Sequence, residues 1–503
     1  MRRPLTAVIT IGTASLALWG AESRSPDEYD DFLKKSREEY ASFLSNAEKE
    51  YKDFRDRANH EYEEFLRNPW TPINLLPPTP APPDPEPIPD VVPDDDLGRK
   101  IRTEPVVIDS IIAPPAPGPR PEPVSPIEDI PSPIPPKRLH LTMYGTQMTV
   151  RAAELEGFSL YGTDENAVAD GWHRLVESGC DNLIYDCLSL RKTHALPDWG
   201  YFKLIDKAAQ LYAPEGSAEH ALIMGFLLNQ SGYKTRFART KGGELKLLFC
   251  YNGYIYDRPL LICDGDWFYA YSPMEEQSQV QICEFGYPKE KELSMAVTES
   301  PRFAYAPANR RDVTVRNHPD IRLSLTANRN LIDFFADYPD GTMDRTPLTK
   351  WVIHANTPVS KEVKEQLYPT LRKAIAGMDE LEAVNLLLKV AESFPYGLDD
   401  EIWGRDRAFW MEESWHYPLS DCEDHAIHFS HLVRDLTGIE VALVYYPGHL
   451  ASAVAFSKEV PGDYITYQGK RYTICDPTYF YASVGMSMTQ VDKASATLIP
   501  LSR

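Results

Sequence analysis

The chain has 503 residues, 43% of them hydrophobic, so it is long enough and apolar enough for several packed domains. Its formal net charge of −22 argues against nucleic acid as a ligand and for a well-solvated protein. The seven cysteines are odd in number and show no C-x-x-C spacing of the metal-binding type; no metal and no cofactor is expected.

Residues 1–23 read as a secretory signal. Arg2-Arg3 is the basic start, Leu5 to Leu18 the apolar segment, and Ala21-Glu22-Ser23 a small-x-small cleavage site. The apolar run is short for a membrane span, so no transmembrane segment is expected after cleavage. The protein is therefore expected to be exported, either periplasmic or secreted. In an oxidising compartment Cys180 with Cys187, or two of Cys250, Cys263 and Cys283, are possible disulfide partners.

Residues 24–68 hold a repeat of eleven. Tyr29, Tyr40, Tyr51 and Tyr62 are in register, as are Phe32, Phe43, Phe54 and Phe65, and a Glu precedes every Tyr. Eleven residues at 3.67 per turn keep such a stripe on one face of a nearly straight helix. An aromatic stripe needs cover, from a second copy, another protein or the protein's own body; a coiled coil or partner helix is the expected arrangement. A lipid surface fits less well, because the polar face is acidic.

Residues 69–136 carry 23 of the 43 prolines, too many for a core, and read as an extended spacer, with Val106 to Ile112 as an apolar island that can dock. Residues 137–300 form the next globular part, with strands over Leu139 to Val150 and helices over Asn166 to Glu177 and Tyr201 to Leu211. A strand-rich connector follows at 301–360, with candidate strands around Val313, Ile321 to Leu325 and Trp351 to Ile353. Residues 361–396 return to helix. The loop from Asp399 to Tyr417 is rich in aromatic and acidic residues, and Trp415 and Tyr417 are candidates for an oxyanion donor or cleft wall.

The most informative stretch runs from Asp421 to Thr478. Asp421 is a good N-cap, and Ala426, Phe429, Leu432, Val433 and Leu436 make a buried stripe that Gly438 ends. Cys422 then lies in the first turn, where free N–H groups and the helix dipole favour a thiolate; the flanking carboxylates oppose this, so a nearby imidazolium is needed. Two strands follow, Val441 to Tyr446 and Leu450 to Phe456, joined at Pro447-Gly448, with His449 at the start of the second. A third, Arg471 to Cys475, delivers Asp476. A thiolate to attack a carbonyl, an imidazole to move the proton and a carboxylate to fix the tautomer are the parts of acyl-transfer chemistry. His425, His428 and His431 follow a spacing seen in metal ligands, but a buried helix makes them core or rim histidines.

Ser-Asp-Cys-Glu-Asp at 420–424, Tyr-Pro-Gly-His at 446–449 and Cys-Asp-Pro-Thr at 475–478 resemble the transglutaminase-like superfamily. They are closest to the large exported transglutaminase-like proteins of Bacteroidetes-type bacteria. The resemblance covers roughly the last quarter of the chain, and departs at His425, where it implies arginine. It implies an α+β, papain-like catalytic domain over 361–503, with Cys422 as nucleophile, His449 as base and Asp476 as orienting acid. It also implies a peptide or protein substrate and a peptidase or amidase acting through a thioester. A true protein cross-linking transglutaminase and a non-catalytic envelope adaptor are the alternatives.

An echo of this stretch lies upstream. Ser217-Ala218-Glu219-His220-Ala221 aligns with 422–426, Tyr251 to Ile255 with 446–450, and Gly265 to Pro273 with 469–477. On that register Ser217, Tyr254 and Ser272 stand for Cys422, His449 and Asp476, which makes 137–300 a degenerate, inactive second copy suited to binding or scaffolding.

Overall fold

The computed structural model describes residues 26–81, 101, 103–127, 129, 136–274, 279–399 and 403–502. The signal reading falls outside them. The described chain divides into two units after His60. Helix α1 (Pro26–Arg67) supplies the first. Within that unit Tyr51 is 49% exposed, so the stripe is not buried there, and the side chains of Tyr29, Phe32, Tyr40 and Phe43 lie outside the described residues.

The last repeat belongs to the second unit, and there the stripe meets the protein's own body. The Tyr62 ring sits 4.6 Å from Trp172 and 5.8 Å from Tyr287, and Phe65 stacks on Phe285 at 4.6 Å. Two short strands follow in the proline-rich segment, β1 (Thr71–Asn74) and β2 (Ile108–Ile111). The segment is therefore not a free spacer at these points. At both places an exposed sheet edge offers the chain unpaired N–H and C=O groups.

The upstream half begins with the hairpin β3 (Arg138–Met143) and β4 (Thr146–Arg151). Helices α2 (Glu165–Glu177), α3 (Asp181–Thr193), α4 (Asp198–Ala209) and α5 (Ala218–Gln230) come next. Strands β5 (Thr235–Arg239), β6 (Leu245–Cys250), β7 (Leu260–Cys263), β8 (Asp266–Ala270) and β9 (Gln279–Ile282) then form a sheet of order β1-β9-β5-β6-β8-β7.

A hairpin, β10 (Arg311–Thr314) and β11 (Arg322–Leu325), leads to α6 (Arg329–Ala336) and α7 (Lys350–Asn356). The strand expected over Trp351 to Ile353 is thus a helix. A helix buried all round carries an unbroken apolar run, which a strand reading does not distinguish. After α8 (Lys361–Gln366), α9 (Tyr368–Ile375), α10 (Glu380–Ala391) and the short α11 (Met411–Ser414) comes α12 (Cys422–Thr437). It ends at Gly438 in the left-handed region (φ 73°), a conformation glycine takes without strain.

Strands β12 (Glu440–Tyr446), β13 (His449–Ala455), β14 (Tyr464–Tyr467), β15 (Lys470–Cys475) and β16 (Ala496–Pro500) close the chain. Their sheet has the order β14-β15-β13-β12-β16-β2. α12 lies between α10 and this sheet. Phe429, Leu432 and Val433 are fully buried in a core with Leu387, Val441 and Val454, each contributing roughly 1.5–3 kcal/mol by leaving water.

The two sheets have one plan. After a helix, strands A to E pair antiparallel in the order C-D-B-A-E, and a strand from the proline-rich segment adds beyond E, antiparallel as β1 and parallel as β2. The C–D hairpins match residue for residue: Cys263 pairs with Asp266 around Asp264-Gly265, and Tyr467 with Lys470 around Gln468-Gly469. All four turn residues have positive φ, the tight hairpin geometry that suits strand twist.

Candidate active site

Cys422 is the first residue of α12, His449 the first of β13, and Asp476 follows the last residue of β15. β13 and β15 are neighbours, with Ser452 opposite Cys475. This register brings His449 Nε2 to 2.8 Å from Asp476 Oδ2. The other carboxylate oxygen, Oδ1, accepts from the Thr478 N–H at 3.1 Å and its hydroxyl at 2.9 Å. Burial works to raise the Asp476 pKa, but the His449 charge and hydrogen bond, with the two Thr478 donors, hold it below the ordinary carboxylate range.

Cys422 packs in an apolar cluster with Ala426, Leu443 and Leu450, so its side chain lies against the start of β13. The thiol donates to Glu423 Oε2 at 3.2 Å, and no hydrogen bond joins it to His449. Only 2% of Cys422 is exposed. Burial, then the Glu423 and Asp421 carboxylates, push its pKa well above the ordinary thiol value, against which the Leu450 N–H works. The first-turn position was expected to favour a thiolate; here the neighbouring anions and the lack of water outweigh the dipole.

Neither aromatic cleft candidate stands beside the thiol. Trp415 is a core residue, packed edge-on against Phe394 at 4.9 Å and near His428 at 6.1 Å. Tyr417 belongs to a cluster around Arg407, with Trp403 at 4.7 Å and Phe409 at 5.1 Å. Tyr396 is the aromatic residue that packs against the Cys422 cluster. Its phenol pKa is raised by burial and then by Cys422 and Asp421, with Asp476 also contributing. Its local signal was the end of the preceding helix at Pro395-Tyr396, which does not say where the ring points.

The three histidines of α12 are buried. His425 is lowered to about 4 by burial, with the Ala391 carbonyl and Asp476 opposing. His428 packs edge-on against Phe394 at 4.7 Å. His431 Nε2 is 3.1 Å from the His354 carbonyl and is likewise lowered to about 4 by burial. All seven cysteines are free and buried, so none of the possible disulfides forms.

The shared sheet plan corrects the upstream alignment at two positions. Ser217 is the N-cap of α5, its hydroxyl accepting from the His220 N–H at 3.1 Å; this is the place of Asp421, so Ala218 stands where Cys422 does. Tyr254 follows the far end of β6, whereas His449 opens β13. The place of His449 falls to Glu244: it pairs with Thr240 as His449 pairs with Tyr446, and it follows Gly243 (φ 84°) as His449 follows Gly448 (φ 82°). The β5–β6 turn is one residue longer than Pro447-Gly448, which hid this register. Ser272 keeps the place of Asp476, by the match of the C–D hairpins. A cavity of about 370 Å³ lies here, lined in part by Ser217, His220, Lys246, Tyr271 and Ser272. His220 Nε2 is 3.1 Å from Asp206 Oδ1 within it.

Comparison with family models, curated proteins and solved structures finds no match to this chain.

Proposed function

We propose that the chain is an exported cysteine-dependent acyl-transfer enzyme of transglutaminase-like type, a peptidase or amidase. The observation that carries this reading is the 2.8 Å His449–Asp476 pair at the ends of neighbouring strands, with Cys422 packed against the same strand start. In the reaction His449 takes the thiol proton, and the sulfur attacks an amide carbonyl. His449 then returns that proton to the leaving amine, and a thioester forms. Water, activated by the same imidazole, resolves the thioester to a carboxylic acid and the free thiol. Asp476 holds the tautomer and stabilises the imidazolium. Transfer to an amine instead of water is the cross-linking variant of the same chemistry.

A second reading has its own support. The buried thiol, bonded to Glu423 instead of His449, fits a protein in which both sheet units serve as a binding scaffold. The common strand plan supports an origin by duplication, with the upstream unit, carrying Ala218 and Glu244, as an inactive copy.

The deciding experiment is iodoacetamide labelling of the purified protein across pH, read by mass spectrometry, with His449→Ala as control. Labelling of Cys422 near neutral pH that slows in the variant supports the enzyme. A rate no faster than an ordinary thiol's, unchanged by the substitution, leaves the scaffold reading.

A further inference from the structure

Beside the thiol lies a group of carboxylates with no evident use in acyl transfer. Oxygens of Asp399, Asp421 and Glu423 lie within 4.8 Å of one another. The three residues are 2%, 0% and 1% exposed. Two of them have buried oxygens without a hydrogen-bond partner, both oxygens of Asp421 and Oε1 of Glu423. Asp421 and Asp424 face each other across the first turn of α12, where the Asp424 carboxylate accepts from the Asp421 N–H at 3.4 Å. Asp399 is fixed by the Arg407 N–H at 2.5 Å, and Glu423 Oε2 takes the Cys422 thiol.

The neighbouring charges deepen the imbalance. Asp406 and Asp424 border the trio. Of the cations here, Lys350 is bound to Asp406 while its charge also acts on Glu423, and Arg407 is bound to Glu413. A buried, unpartnered carboxylate oxygen costs several kcal/mol, and a cluster that holds such oxygens on Asp421 and Glu423 calls for a counter-charge.

We infer that Asp399, Asp421 and Glu423 hold a hard divalent cation of the calcium class, anchoring the Asp399 loop to the first turn of α12. The donors are all oxygen, with neither thiolate nor imidazole, which selects calcium, magnesium or manganese over zinc or copper. Calcium bonds of about 2.4 Å allow two ligands up to ~5 Å apart, and its flexible coordination suits donors from a loop and a helix terminus. Asp399 stands far from Asp421 in sequence, so no spaced motif announces the site. The inference is independent of whether Cys422 is catalytic.

The test uses the full chain, stripped with EDTA and titrated with calcium chloride by calorimetry, with thermal unfolding followed in parallel. Saturable binding of one ion per chain is expected, with a rise in Tm that EDTA reverses. Both effects are lost in Asp421→Asn and in Asp399→Asn and kept in Cys422→Ala. Magnesium and manganese are run alongside; tighter binding of either overturns the calcium assignment. The competing occupant is the proton. An EDTA-treated wild type that takes up none of the three ions, and gains stability relative to Asp421→Asn between pH 7 and pH 5, overturns the site. If an Asn variant fails to fold, terbium luminescence of the wild type, excited through Trp403 next to the Asp399 carbonyl, decides: no calcium-displaceable emission overturns the proposal equally.

Discussion

His449 Nε2 and Asp476 Oδ2 are 2.8 Å apart because β13 and β15 are paired with Ser452 opposite Cys475. A shift of one residue in that pairing would turn one of the two side chains to the other face of the sheet. The dyad is therefore a property of sheet register. In Asp476→Ala the imidazole loses its orienting partner, and amidase activity is expected to fall by about 10²–10⁴-fold with little change in KM. A loss confined to KM would assign Asp476 to substrate binding.

The same aspartate gives a pH signature. Its folded pKa is depressed, so its stabilising effect is present above the unfolded value of about 4 and is lost as pH falls through the lower folded value. Thermal unfolding of wild type and Asp476→Asn should differ most at neutral pH and converge at strongly acid pH. A difference that does not change with pH would refute this.

Glu423 is the anion bonded to the Cys422 thiol. In EDTA-treated protein, Glu423→Gln removes a charge that raises the thiol pKa, so iodoacetamide labelling at neutral pH should speed up, by about tenfold for each pKa unit recovered. Labelling that stays as slow as in the wild type would place the obstacle in burial alone.

The buried histidines have the opposite consequence for acid. His354, His425 and His431 are lowered by burial to about 3, 4 and 4, and His428 well below its ordinary value. The unfolded chain takes up protons below about pH 6.5 and the folded chain does not, so stability falls as pH drops from there toward 4. His428→Phe, which keeps the packing on Phe394, should flatten that decline in urea midpoints.

The aromatic stripe can be tested at two of its members. Tyr62 is 1% exposed between Trp172 and Tyr287, and Tyr51 is 49% exposed. Tyr62→Ala should cost about 3 kcal/mol or more of stability, and Tyr51→Ala close to none. Sedimentation of the Tyr51→Ala chain checks the other half of the question: a loss of self-association would mark the exposed part of the stripe as a contact between copies.

The sequence disclosed what depends on near neighbours. The start of α12 at Asp421-Cys422, its stop at Gly438, the Pro447-Gly448 turn and the strand ahead of Asp476 each rest on a few adjacent residues. Pairing across the sheet was less legible. Glu244, not Tyr254, holds the place of His449, because the corresponding turns differ by one residue and both stretches show a Tyr-x-Gly pattern. Proline content hid β1, whereas β2 falls within the Val106 to Ile112 island expected to dock; the strand character of both comes from the edges they meet. The place of Tyr396 beside the thiol, and of Asp399 beside Asp421, depends on loops folding back, for which local sequence has no signal.

The two strands of the proline-rich segment also set an order of events in synthesis. β1 is made long before its partner β9, and β2 before nearly everything, including β16, on which it lies. Each must wait unpaired while its sheet is translated. The dyad's sheet thus gains its outermost strand last, through a contact spanning most of the chain, a connectivity that slows folding and leaves an open edge on the nascent protein until the end.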